Sequence, residues 1–199
     1  MTNTNEGLAR RTVVIYAASS LDGYLAPNDG SVEWLEPFGS GADLGFDDFL
    51  GTVGSLVTGR TTFEQVRTFG AWPYGSRPTA VLTHRAGLKD LPPGVRTDDG
   101  SDLRTLVATL QRESGTGTTW LLGGGSLHQS FLAEGLVDEI WTHIMPVLLG
   151  DGIPMFPAPY PATNLHLVES VAYENGVVLV RYRVESADSG GSAHRDEHV

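Results

Sequence analysis

Residues 120–131, Trp-Leu-Leu-Gly-Gly-Gly-Ser-Leu-His-Gln-Ser-Phe, constrain the chain more than any other stretch. A short apolar run of strand type breaks into three glycines and passes at once into a helical pattern. At such a junction, free backbone N–H groups and the positive end of the helix dipole converge on one point, which suits a phosphate. Glycine permits both the positive φ and the close approach that such turns use. A tight turn that holds no ligand is the competing reading of the same residues.

The junction recurs. A short strand at 56–58 meets Gly59-Arg60-Thr61-Thr62, where Thr61 or Thr62 would cap a helix reaching Phe69. Another strand, at 79–83, runs into His84-Arg85. Ahead of these, a β-branched run at 12–18 reads as a buried strand, and a helix is expected from 42 to 53 with Leu44, Phe46, Phe49 and Leu50 on its inner side. Asp99 to Asp102 offer N-caps for a helix to about residue 113. The stretch 118–134 then reads as strand, turn and helix, and 137–144 as a strand. A long proline- and glycine-containing loop covers 146–161. Strands at 165–173 and 177–184 close the chain, joined by the hairpin signal Glu174-Asn175-Gly176. Strands alternating with helices, then a terminal hairpin, specify an α/β fold with a mostly parallel central sheet and an antiparallel C-terminal pair. One domain over 12–185 is expected, between disordered ends at 1–11 and 186–199.

Composition limits the partners. The net charge of −11 argues against nucleic acid or an anionic membrane, so an anionic ligand needs a local cationic pocket. No apolar run approaches the roughly 18–20 residues of a membrane span, and the polar 1–11 stretch lacks the apolar core of a secretory signal. With no cysteine, disulfides and thiolate metal sites are excluded, and a cytoplasmic location is expected. Only His194 and His198, in the tail, have metal-like His-x-x-x-His spacing, so no metal is expected.

Two strand–turn–helix junctions plus Arg60 and Arg85 suit a ligand with several phosphates, such as a dinucleotide. The glycine spacing is not Gly-x-Gly-x-x-Gly, which makes an ordinary Rossmann domain a poor fit. The ordered set of motifs resembles the dihydrofolate reductase superfamily, in particular its riboflavin-biosynthesis reductase branch. Ala17-Ala18-Ser19-Ser20-Leu21-Asp22-Gly23 resembles that family's first strand and active-site loop. Gly59-Arg60-Thr61-Thr62-Phe63-Glu64 resembles its phosphate motif, and Val81-Leu82-Thr83-His84-Arg85 the element that grips the adenosine 2′-phosphate. Leu122-Gly123-Gly124-Gly125-Ser126, followed by Leu127, resembles the pyrophosphate glycines. Val137-Asp138-Glu139-Ile140, Thr142-His143-Ile144 and the run from Pro146 to Gly152 are similar to a strand and loop of the riboflavin-type branch.

The resemblance implies a three-layer dihydrofolate reductase-like fold with helices on both faces of the sheet. It also implies an NADPH-dependent reductase, a homodimer, and a small heterocyclic or ribosylamino-pyrimidine substrate. The nicotinamide would lie by Ala17, Ala18 and the 19–30 loop. Asp43, on the predicted first helix, stands where folate-reducing members carry their carboxylate, and equally suits a helix N-cap. Asp47, one turn on, competes with it. Thr142 resembles the hydroxyl that supports that carboxylate, though threonine is a common strand residue. Asp22 is a candidate to touch substrate or only to shape its turn. Trp34 and Trp72, in loops near the expected mouth, are either stacking surfaces or packing anchors. Dihydrofolate reduction proper, and a non-catalytic nucleotide-binding or dimerisation module, are the alternative functions.

Overall fold

The computed structural model describes residues 11–39 and 44–185; the predicted disordered ends fall almost wholly outside that range. In chain order the elements are β1 (Val13–Ser20), β2 (Tyr24–Ala26), a 3-10 turn (Glu33–Leu35) leading into α1 (Glu36–Gly39), and α2 (Phe46–Thr52). Next come β3 (Val53–Gly59), α3 (Arg60–Thr68), β4 (Thr79–Leu82), β5 (Val95–Asp98) and α4 (Leu103–Ser114). Then follow β6 (Thr118–Leu121), α5 (Gly125–Ala133), β7 (Glu139–Met145), β8 (Ile153–Pro154), β9 (Leu165–Ala172) and β10 (Val178–Val184).

Eight strands form one sheet in the order β5-β4-β3-β6-β1-β7-β10-β9. The first six run parallel, and β10 is antiparallel to both β7 and β9. β1 sits inside this sheet because its side chains are apolar on both faces. Val13 and Ile15 join one buried cluster, Val14 and Tyr16 the other. α4 and α5 cover the first face through Leu106, Leu110, Leu127 and Phe131. On the second face α2 stacks Phe49 on Tyr16, ring centroids 3.9 Å apart, and α3 places Phe63 against Val81 and Val95. The expected three layers are therefore present. Gly176, with φ +84°, lets the hairpin turn close through its amide onto the Tyr173 carbonyl. Among the described residues no helix is long and apolar enough to cross a membrane.

Several expected boundaries shift. The helix expected over 42–53 begins at Phe46 in the described chain, because Leu44 (φ +49°) and Gly45 (φ +82°) both take left-handed backbone that an α-helix cannot continue through. Val53, expected at its end, already belongs to β3. α3 starts at Arg60 with Gly59 as N-cap and no side-chain cap, so neither Thr61 nor Thr62 plays the capping role. Asp102 is the cap chosen for α4, its carboxylate accepting from the Thr105 amide at 2.9 Å. β5, which has only one apolar residue, has no counterpart among the expected strands. It is recruited by pairing with β4 rather than by its own pattern.

One cation knits the second face together. Arg77 donates from Nε to the Val53 carbonyl, from Nη1 to Tyr74 and from Nη2 to Leu50, closing the C-terminal end of α2 against β3. Arg77→Ala removes all three hydrogen bonds and should lower unfolding free energy by about 2 kcal/mol, read by urea denaturation.

Candidate functional site

A cleft of about 1160 Å³ runs along the carboxyl edge of the parallel strands, the usual ligand side of an open α/β sheet. Its middle is built by the two glycine junctions. β3 ends in Gly59 and α3 begins at Arg60; β6 ends at Leu121 and α5 begins at Gly125. The Gly59 amide donates to the Gly123 carbonyl at 3.0 Å, which fixes the two turns side by side. Gly59, Arg60, Thr61, Thr62, Gly123, Gly124, Gly125, Ser126 and Leu127 all line the cleft. Two helix N-termini thus open onto one space, and the donor set fits a pyrophosphate.

Not every glycine serves the ligand. A Cβ on residue 125 would lie 2.2 Å from the Pro154 carbonyl oxygen and 3.0 Å from Pro157 Cδ. Gly125 is required because β8 passes directly against the start of α5. A Cβ on Gly124 would meet only Thr62 Oγ1, at 3.7 Å. A Cβ on Gly123 would likewise meet only Thr62, at 3.9 Å or more, so what calls for glycine there is its φ of +119°.

One end of the cleft is polar and cationic, formed by Thr83, His84 and Arg85 after β4 and by Asp99, Gly100 and Ser101 after β5. Arg60 does not stand open there. Its Nε donates to Glu64 at 2.8 Å, and its Nη1 to the Arg85 and Ala86 carbonyls at 3.1 and 3.3 Å. It fastens the 83–86 loop to α3, while Thr83 Oγ1 accepts from the Arg85 amide at 3.1 Å. The Arg85 side chain is exposed and has no ion pair among the described residues. Asp99 is held below the usual carboxylate range by the Ser101 amide and hydroxyl, with His84 adding to the effect.

The opposite end is apolar. Tyr16, Ala17 and Ala18 of β1, Leu25 and Ala26 of β2, Val32, Leu35, and Ile153 and Pro154 of β8 form its walls. β2 and β8 pair into a small flap over this end, Tyr24 opposite Pro154 and Ala26 opposite Ile153. Gln65, one turn along α3 from Thr61, is the polar side chain here, its amide donating to the Gly30 carbonyl at 2.7 Å. The flap and Gln65 went unmarked in the sequence, and the 99–101 turn was read there as N-cap candidates rather than as cleft wall. The signal that would have found Gln65 is its i+4 spacing from Thr61, which puts both on one face of α3.

The candidates for substrate contact and proton handling come out differently. Asp22 is not on the cleft wall, and its carboxylate accepts from Ser20 Oγ and from the Leu149 and Gly150 amides, so it clasps the 149–150 loop. Trp34 also lies off the wall, though its neighbours Val32 and Leu35 are on it. Trp72 packs between Phe63 and Tyr74, with ring centroids 5.2 and 4.9 Å away, and is a packing anchor. Thr142 is buried on β7 and shares a hydrogen bond with Ser19 Oγ at 3.2 Å, away from the cleft lining. Asp47 sits in the first turn of α2, likewise outside the lining. Asp43 lies outside the described residues. Among the described residues, no group of side chains is arranged to hold a metal ion.

This geometry agrees with the relationships of the chain. Residues 11–179 match the RibD C-terminal domain family, and the protein belongs to it. YwjB of Bacillus subtilis (strain 168) is 34% identical over 170 residues, covering 85% of this chain and 96% of YwjB. A putative riboflavin biosynthesis protein from Shewanella sp. PV-4 has the same fold (TM-score 0.76, 27% identity, 88% of this chain and 99% of that one). Dihydrofolate reductase from Enterococcus faecalis, solved with NADP(H), shares the fold at 20% identity and TM-score 0.59, over 89% and 98% of the two chains. So does the Thermotoga maritima diaminohydroxyphosphoribosylaminopyrimidine deaminase/5-amino-6-(5-phosphoribosylamino)uracil reductase, at 16% identity and TM-score 0.62. This chain spans 57% of that bifunctional protein.

Proposed function

We propose that the protein is an NADPH-dependent reductase acting on a small heterocycle of the ribosylamino-pyrimidine type. The observation that carries this reading is the paired junction. Two helix N-termini, locked together by the Gly59–Gly123 hydrogen bond, face a cleft that is cationic at one end and apolar at the other. A dinucleotide has the same layout: anionic centre, phosphorylated adenosine, flat nicotinamide. When bound, NADPH supplies a hydride for a C=N or C=O carbon. The chain's own residues would do the rest. The Gly124–Leu127 backbone would seat the pyrophosphate, Arg85 would meet the 2′-phosphate, and Ala17 and Ala18 would floor the ring. The β2–β8 flap would keep water from the reacting face.

Dihydrofolate reduction proper has less support. No described carboxylate lines the apolar end, and Thr142 lies off the cleft wall, hydrogen-bonded to Ser19 Oγ. That reading rests on Asp43 alone.

Titration with NADPH and NADH, followed by thermal shift, tests the proposal. NADPH at about a hundred times its Kd should stabilise the protein by roughly 2.7 kcal/mol. Arg85→Ala should weaken NADPH about tenfold or more while leaving NADH nearly unchanged, since a charge-assisted bond to phosphate contributes about 1.5–3 kcal/mol. Arg60→Ala should weaken both cofactors, because the 83–86 loop loses its fastening. Absence of a shift with either cofactor would sink the reductase reading.

A further inference from the structure

The distribution of positive charge restricts what the apolar end can receive. The chain has 13 lysines and arginines, and among the described residues only Arg60 and Arg85 line the cleft. Arg85 belongs to the polar end after β4, and Arg60, at the β3–α3 junction itself, turns its guanidinium toward that end through the Arg85 and Ala86 carbonyls. Arg60 is already engaged with Glu64 and two carbonyls. On the cofactor reading above, Arg85 is committed to the 2′-phosphate. The other end is walled by Ala17, Leu25, Val32, Leu35, Ile153 and Pro154, with Gln65 as its amide donor and acceptor.

We infer that the substrate held at the apolar end is an uncharged, unphosphorylated planar heterocycle. The inference rests on the cofactor reading. It separates this chain from the phosphoribosyl substrate in the name of its Thermotoga maritima structural neighbour. A phosphate brought here would lose water against aliphatic walls with no guanidinium or ammonium to replace it. The overall charge of −11 adds a repulsive field. A flat neutral ring loses little on entry, buries its faces against aliphatic side chains, and can use the Gln65 carboxamide for orientation.

The test is calorimetric and uses the intact protein with NADP+, the oxidised cofactor, so that no turnover intervenes. NADP+ is titrated first. The saturated complex is then titrated with a ribosylaminopyrimidine and separately with its 5′-phosphate. The neutral compound should bind at least about tenfold more tightly. Val32→Arg, which sets a cation on a partly exposed rim position, should narrow or reverse that difference while the protein still binds NADP+. Equal affinity, preference for the phosphate, no binding of either compound, or no gain in Val32→Arg overturns the inference. Failure of the first titration instead removes the cofactor reading on which it rests.

Discussion

Gly125→Ala should lower the stability of the protein by about 3 kcal/mol and weaken NADPH binding roughly a hundredfold. The added Cβ would fall 2.2 Å from the Pro154 carbonyl oxygen, a backbone atom that cannot rotate away. Relief requires either α5 or β8 to move. If α5 moves, the Gly125 and Ser126 amides leave the place proposed for the pyrophosphate, and each would lose a charge-assisted hydrogen bond to it. If β8 moves, its pairing with β2 opens and the apolar end loses a wall. Gly124→Ala is the control, since its Cβ meets only the Thr62 hydroxyl at 3.7 Å, and it should unfold within about 0.5 kcal/mol of the parent. Urea denaturation and calorimetric titration of both variants separate the two effects. Parental stability in Gly125→Ala would contradict the contact described between β8 and α5.

His128 should make the protein acid-sensitive by an amount on the order of 3 kcal/mol. Its ring is fully buried on α5, beneath the cleft, with Nδ1–H donating to the Met155 carbonyl at 3.1 Å. Burial pushes its pKa from 6.5 down to about 4, against the opposing pull of the carbonyl it bonds. The sign follows from proton uptake. Between about pH 6.5 and 4 the unfolded chain is protonated at this site and the folded chain is not. Stability is therefore complete above 6.5 and falls as pH drops to about 4, with no further loss from this group below that. The magnitude is the shift multiplied by about 1.4 kcal/mol per pH unit. In His128→Asn the side-chain amide can still donate to Met155, and nothing titrates. The variant should lose this part of the pH dependence when the two proteins are compared by urea denaturation from pH 7 to 4. Parallel stability curves for the two proteins would contradict it.

The sequence carried the parts of the fold that local pattern determines. β1, β3, β4 and β6 are apolar on both faces and announce themselves as central parallel strands. The hairpin was readable from Glu174-Asn175-Gly176 because its left-handed position must be filled by a residue such as glycine. β5 was not, since its order comes from β4 and the Thr79–Gly94 bond rather than from its own residues. The site divides in the same way. The two glycine turns on the cleft have a local signature, glycine then helix. Asp22 reads from sequence as touching substrate or only shaping its turn, and neither reading reaches the Leu149 and Gly150 amides it binds, 127 and 128 residues away. Arg60 is a similar case: its carbonyl partners sit 25 and 26 residues on. The need for Gly125 likewise comes from Pro154, a contact that no one-dimensional pattern records.

A crystal of the protein soaked in NADPH would show directly where the cofactor lies. The pyrophosphate should lie on the amides that open between Gly124 and Leu127, the 2′-phosphate within hydrogen-bond reach of Arg85, and the nicotinamide face against Ala17 and Ala18 beneath the β2–β8 flap. A cofactor bound elsewhere, or bound with its nicotinamide beside Arg85 and its adenosine against Ala17, would contradict this placement.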